Sequence, residues 1–261
     1  MKHRARRRFG QNFLTDDRVI GRIVEAIDPG PGDLILEIGP GRGALTAPLV
    51  ASGAEVHALE IDRDLARALS EDSTLSGRLT VHECDALKVN TGDIAGGRPY
   101  RLAGNLPYNI STPLLFHVLE QDLLPRDMHF MLQNEVVVRI AAAPGGRDYG
   151  RLSVMSQNRC RVTPLFTIGP ESFQPRPRVQ SRLVRMEPLA EPLSGAGLIE
   201  PLASVVKAAF AMRRKTLRNS LCSLFGEDEL LRAGVDPGLR AEQVGLEQFI
   251  ALAGLLGERR D

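Results

Sequence analysis

Leu34-Ile-Leu-Glu-Ile-Gly-Pro-Gly-Arg-Gly-Ala-Leu-Thr46 opens with branched apolar residues (Leu34, Ile35, Leu36, Ile38). It then passes through glycines at 39, 41 and 43 and runs into an apolar-periodic stretch through Leu45, Leu49 and Val50. This order predicts a buried strand, a tight turn and a helix, the opening unit of a nucleotide-binding α/β sheet. Gly39 and Gly41 leave no Cβ between the backbone and a ligand. The turn falls at the carboxyl end of a parallel strand, where open α/β sheets bind their ligands.

The charge around the turn selects among ligands. Gly39-x-Gly41-x-x-Ala44 fits the spacing of a dinucleotide fingerprint, with Glu60 about 20 residues on as a ribose partner. A dinucleotide would put an anionic pyrophosphate beside Glu37, which repels it. S-adenosylmethionine brings a sulfonium and an ammonium, which a carboxylate attracts. The methyl donor is the expected ligand; a dinucleotide and a glycine turn without any ligand stay open at this point.

The net charge of +1 conceals segregation. Residues 55–93 hold nine acids against four bases, whereas residues 139–185 hold nine arginines against Asp148 and Glu171. Residues 1–8 carry Lys2, Arg4, Arg6, Arg7 and Arg8 with no acid. A polyanionic partner on one face is the expectation, solvated surface arginine the alternative. Cys84, Cys160 and Cys222 lie far apart without metal-ligand spacing, so neither a disulfide framework nor a metal is indicated. The basic start has no apolar signal-peptide core and no stretch reaches membrane-spanning length, so a cytoplasmic protein away from membranes is expected.

Residues 1–15 read as an arm. Thr15-Asp-Asp17 caps a helix through Ile20, Ile23, Val24 and Ile27, which Asp28-Pro-Gly-Pro-Gly32 stops. Strands are expected at 55–60 and 79–83, placing Glu60 and Asp85 at successive strand ends beside Glu37. Such carboxylates can take ribose hydroxyls and an adenine amine. A fourth strand ends in Gly104-Asn-Leu-Pro-Tyr-Asn-Ile-Ser111, a helix runs through Leu114 to Leu119, and a fifth strand spans 128–132 with a helix from Glu135. Two last strands, 161–168 and 182–186, flank the proline-rich loop from Phe173 to Ser181. Residues 188–201 read as a linker, and beyond it come only helices, at 202–212, 216–224, 227–232 and 246–256. The expected division is a domain of residues 1–188 and a small all-α domain of residues 189–261 carrying Lys207, Arg213, Arg214, Lys215 and Arg218.

Asn105-Leu-Pro-Tyr108 suits an amine that is a poor nucleophile. The exocyclic nitrogen of adenine delocalises its lone pair into the ring. Acceptors on its two hydrogens, the Asn105 side-chain oxygen and a backbone carbonyl near Leu106, favour a tetrahedral nitrogen. Pro107 fixes the turn and Tyr108 offers a face on which a flipped base stacks. No general base is needed among His3, His57, His82, His117 and His129, because a methylated ammonium loses its proton to water.

In these stretches the chain resembles the small-subunit (16S) ribosomal RNA adenine N6,N6-dimethyltransferases. The matching motifs are Gly10-Gln-Asn-Phe-Leu14, Glu37 to Gly43, Leu59-Glu-Ile-Asp62, Asp85, Gly104 to Ser111, Phe173 to Ser181 and Phe210 to Leu221, in family order. The resemblance implies a Rossmann-like class I methyltransferase sheet with a small C-terminal helical domain. It implies dimethylation of two adjacent adenines, with a part in small-subunit biogenesis. Donor contacts are implied at Asn12, Leu14, Gly39, Glu60, Asp85 and Asn105, catalysis at Asn105, Leu106 and Tyr108, and target-base contacts at Tyr108 and Phe173. Arg213, Arg214 and Lys215 are expected to contact RNA. The expected partner is the pre-small ribosomal subunit, bound by a monomer. Two alternatives are a large-subunit adenine methyltransferase of the macrolide-resistance type and an assembly factor whose binding outweighs its catalysis. Residues 210–221 favour the small-subunit enzyme.

Overall fold

A computed structural model describes residues 11–75 and 77–259. The basic run 1–8, expected as part of an arm, lies outside the described residues, as do His3 and Gly10. The chain clusters into two compact units: residues up to 137 with 163–188, and residues 138–162 with 189 onward. No helix among the described residues is long and apolar enough to cross a membrane.

The first unit begins with β1 (Phe13–Leu14) and α1 (Asp17–Ile27). The Asp16 carboxylate accepts the N–H groups of Arg18 and Val19 and so starts α1. Asp28, in the left-handed region at φ 51°, ends it, and Ile23 and Ile27 are buried. Then follow β2 (Leu34–Ile38), α2 (Thr46–Ala51), β3 (Glu55–Glu60), α3 (Arg63–Ser70), β4 (Leu79–Glu83), α4 (Thr91–Ile94), β5 (Arg101–Asn105), α5 (Ser111–Leu119), β6 (Met128–Gln133) and α6 (Asn134–Ile140). β2 pairs in parallel with β3 and β5, as β3 does with β4 and β5 with β6. Every residue of β2 is buried, as a central strand covered on both faces requires.

With β7 (Cys160–Ile168), β8 (Phe173–Gln174) and β9 (Ser181–Pro188), the large sheet runs β4-β3-β2-β5-β6-β9-β7, and β9 is antiparallel to β6. The winding reverses between β2 and β5, the switch point at which open α/β sheets form crevices. Gly104 permits the approach there, because a Cβ at that position would collide with the Ile38 carbonyl oxygen.

The opposite end of the sheet is pinned by Arg101, which is 9% exposed. Its guanidinium pairs with Asp127 and Asp33, each at 3.0 Å, and donates to the carbonyls of Asp28 (3.2 Å) and Ile27 (2.5 Å). One side chain thereby ties the end of α1 to the starts of β2, β5 and β6.

Several expectations need correction. The arm read over residues 1–15 contains a strand: Phe13 and Leu14 are buried and pair antiparallel with Gln174 and Phe173. Burying two large apolar side chains favours a docked segment over a solvated arm. Helix α7 (Arg151–Arg159) was not anticipated, since Ser153, Ser156, Gln157 and Asn158 break its apolar pattern.

The segment 138–162 groups with the helical unit, although the expected boundary assigned it to the larger domain. Backbone and side-chain bonds hold it there. The Asn158 amide exchanges two hydrogen bonds with Ser194, Leu189 N–H donates to the Arg159 carbonyl, and Gly145 N–H donates to that of Glu242.

The rest of the second unit is α8 (Ile199–Ala211), α9 (Leu217–Ser220), α10 (Glu227–Arg232) and α11 (Leu246–Gly257). The expected linker is shorter, because Pro201 fits the first turn of α8, where its missing N–H is no loss. The helix expected over 216–224 contracts to α9, with Thr216 drawn into a bridge with Arg240. Leu202, Val205 and Val206 of α8 and Phe249, Leu252 and Ala253 of α11 are buried.

Candidate functional site

The carboxyl ends of β4, β3, β2 and β5 open onto one cavity of about 290 Å³. Its floor is the turn after β2, where Gly39 and Gly41 have φ of 68° and 60°, conformations costly for residues with a Cβ. A Cβ on Gly41 would also stand 3.0 Å from the Phe13 ring. The turn is therefore stripped to backbone on the side that faces β1.

Three carboxylates line this cavity. Glu60, 4% exposed, accepts the N–H of Asp62 at 2.8 Å on one oxygen and that of Gly41 at 3.1 Å on the other. Burial pushes its pKa up and these backbone donors oppose the rise. The Ile61 backbone adds a third such bond, which still leaves the carboxylate acceptor capacity for a ligand hydroxyl. Asp85 accepts the Leu87 N–H at 3.0 Å and stands 3.9 Å from the Lys88 ammonium. Glu37 is 2% exposed and accepts the Thr46 hydroxyl at 2.6 Å. Burial raises its pKa to about 7; the Thr46 hydrogen bond pulls the other way, and the nearby Glu60 charge adds to the rise. At neutral pH this group stands between its neutral and charged forms.

The Asn105 amide nitrogen donates to the Asn12 carbonyl at 2.7 Å. A carbonyl only accepts, so this contact fixes which end of the amide is nitrogen and leaves Oδ1 as its acceptor. Leu106, 1% exposed, donates its N–H to the Met131 carbonyl at 3.2 Å, which anchors the turn to β6. The Tyr108 hydroxyl lies 2.8 Å from the Ser181 hydroxyl and holds the ring; burial raises the phenol pKa.

Asn12, Leu14, Gly39, Glu60, Asp85, Asn105, Leu106 and Tyr108 all line this one cavity. Phe173 does not. It was expected in the target-base pocket, but its pairing with Leu14 turns it into the core with Ile23, Ile27 and Leu183, at 4% exposure. Arg213, Arg214 and Lys215 follow α8 in the second unit and are exposed. Arg213 donates to the Arg147 carbonyl there. No histidine is among the cavity-lining residues described.

The sequence reading missed Gln11, Phe13, Arg42 and Ile61 as cavity walls. Gln11 donates to Asp62 at 3.3 Å, and Ile61, 47% exposed, presents an apolar surface next to Glu60. An apolar residue directly after a strand-ending acid was the available signal for Ile61.

A sequence profile described as "Ribosomal RNA adenine dimethylase" matches residues 2–257. The chain is 51% identical to the ribosomal RNA small subunit methyltransferase A of Methylococcus capsulatus, over 97% of this chain and 98% of that protein. Among solved structures, a dimethyladenosine transferase from Plasmodium falciparum superposes with TM-score 0.78 at 24% identity, covering 92% of this chain and 95% of that one, a likeness of fold. The 23S rRNA methyltransferase ErmE superposes with TM-score 0.72 at 28% identity, covering 94% and 99%.

Proposed function

The chain belongs to the ribosomal RNA adenine dimethylase family, and on that premise we propose how its cavity works. The protein is an rRNA adenine N6,N6-dimethyltransferase of the small ribosomal subunit, and its methyl donor is S-adenosylmethionine. Identity of 51% to a small-subunit enzyme against 28% to a large-subunit one disfavours the macrolide-resistance alternative. Bound in the cavity, the donor supplies an electrophilic methyl group on a sulfonium.

The observation that carries this reading is the order of polar groups along the sheet edge: Asp85 after β4, Glu60 on β3, Glu37 and the glycine turn at β2, Asn105 on β5. Asp85 suits an adenine amine and Glu60 the ribose hydroxyls, with Ile61 as an apolar surface for the base. Glu37 suits the positive charge, and the bare turn admits the chain that carries it. Asn12 and Leu14 close the wall. The fit is chemical as well as steric, since three carboxylates favour a cationic ligand over a pyrophosphate.

Asn105 then works on the RNA side. Its Oδ1 accepts one hydrogen of the target amine and a carbonyl near Leu106 accepts another, and Tyr108 stacks on the flipped base. This geometry is held before substrate arrives, because Asn12 fixes the amide and Ser181 the phenol. Catalysis is positioning and electrostatics. Two adjacent adenines are the proposed targets, and Arg213, Arg214 and Lys215 the proposed phosphate contacts.

Purified protein, S-adenosylmethionine and unmethylated small-subunit particles should give primer-extension stops at adjacent adenines of the small-subunit RNA. No stop on these particles, with a stop on large-subunit RNA offered in a parallel reaction, would overturn the substrate assignment.

A further inference from the structure

Three acids and one cationic side chain, Arg42, line the cavity among the described residues. Arg42 follows the glycine turn, and its Cζ stands 4.5 Å from the centroid of the Phe13 ring. That ring is itself fixed, since Phe13 is 7% exposed and its strand β1 pairs with β8. A guanidinium laid on an immobile aromatic face is limited to few rotamers, so holding it against a ligand costs little entropy.

The donor reading leaves a problem that Arg42 answers. The amino-acid end of S-adenosylmethionine carries an ammonium and a carboxylate. The ammonium is attracted by Glu37 and Glu60, but these acids repel the carboxylate. That end belongs over the turn of β2, between the ribose side at Glu60 and the transfer side at Asn105. Arg42 is in that turn, and a planar guanidinium matches a carboxylate in shape and charge.

We propose that Arg42, stacked on Phe13, is the specificity residue for the carboxylate of the donor's amino-acid end. The inference rests on the donor reading and adds a residue that discriminates among adenosyl thioethers. RNA phosphate is the competing anion for the same side chain.

The test compares two neutral-sulfur probes by calorimetry: S-adenosylhomocysteine, and its decarboxylated form S-adenosyl-3-thiopropylamine, which keeps the ammonium. The wild-type protein should prefer the carboxylate-bearing probe by about tenfold, the size of one hydrogen-bonded charge pair. Arg42→Gln should lose about that factor for S-adenosylhomocysteine and nothing for the decarboxylated probe. Arg42→Lys should keep part of the preference, and high salt should shrink it.

Equal losses for both probes would make Arg42 a structural support of Phe13 and overturn the proposal. So would an unchanged preference accompanied by a loss of RNA affinity, the mark of a phosphate contact. Wild-type protein that bound neither probe would remove the donor reading itself, and the inference with it.

Discussion

In the proposed mechanism one amide, that of Asn105, couples two ligands. Its nitrogen is bound to the Asn12 carbonyl of the cavity wall, which leaves its oxygen as the acceptor that the mechanism assigns to the target amine. Asn105→Ala should lower single-turnover methyl transfer by roughly two to three orders of magnitude, as removal of a preorganised polar group does, with RNA affinity little changed. Near-normal transfer in a folded, donor-binding variant would discard the mechanism. Glu37 makes a different prediction. Its pKa of about 7 in the fold stands above the ordinary 4.5, so between these values the folded state holds a proton that the unfolded chain has released. Stability of the ligand-free protein should therefore fall as pH rises from about 4.5 to about 7, by up to roughly 3 kcal/mol, and then level off. A cationic donor favours the carboxylate, so its affinity should rise with pH across the same range and its binding should release a proton. Glu37→Gln should flatten both profiles, measured by urea titration and by calorimetry in two buffers. That Glu37, Glu60, Asp85 and Asn105 meet at one sheet edge was legible from the chain, because polar residues that end apolar runs follow the βα rhythm. Phe173 was misread because its sequence neighbours are loop-like prolines, while its position is set by a strand partner far away at Leu14.

At the scale of elements, the alternation of branched apolar runs with glycine and acid punctuation predicted β2, β3 and β4 with their ends, and the strand pair around the proline loop. What it could not supply was β1 or α7. A two-residue strand has no period, and α7 is a helix whose buried face is largely Ser and Asn. Such polar burial becomes favourable only when the partner is in place, here Ser194 on Asn158. Arg101 was unremarked for the same reason, since nothing local distinguishes a strand-opening arginine that pins four elements from a solvated one. Arg101→Met removes the guanidinium that stands 3.0 Å from both Asp127 and Asp33, leaving Asp33 only the exposed Arg126 at 4.0 Å and Asp127 only the His129 ring at 3.3 Å. It should cost about 3–5 kcal/mol by chemical denaturation, the range for breaking a buried pair. Because the network sits at the end of the sheet away from the cavity, donor affinity of the folded protein should stay near wild type. A loss under about 1 kcal/mol, the ordinary worth of an exposed pair, would show that water replaces the pairing.

For the molecule as a whole, net charge hides a segregation: the nine acids of residues 55–93 fall in the first unit, with Glu60 and Asp85 at its cavity, while Arg213, Arg214 and Lys215 are exposed in the second. Replacing Arg213, Arg214 and Lys215 by Ala should weaken RNA binding and flatten its dependence on salt, by up to about one unit of slope for each phosphate no longer neutralised. Donor affinity should be spared. An unchanged slope would make the run a solvated surface.

The short pairing of β1 with β8 has a consequence in time. Thr15 and Ser172, joined by a backbone bond beside it, are 157 positions apart, and β1 carries Leu14 and Phe13 against the glycine turn. During synthesis at roughly 5–20 residues per second, the β2 and β3 parts of the cavity leave the ribosome roughly 6–23 s before the strand that secures β1. Nascent chains arrested before residue 173 should therefore fail to retain a photoreactive donor analogue, and chains long enough to expose residue 188 outside the exit tunnel should retain it. On this expectation an enzyme that methylates ribosomal RNA would gain its donor only late in its own translation.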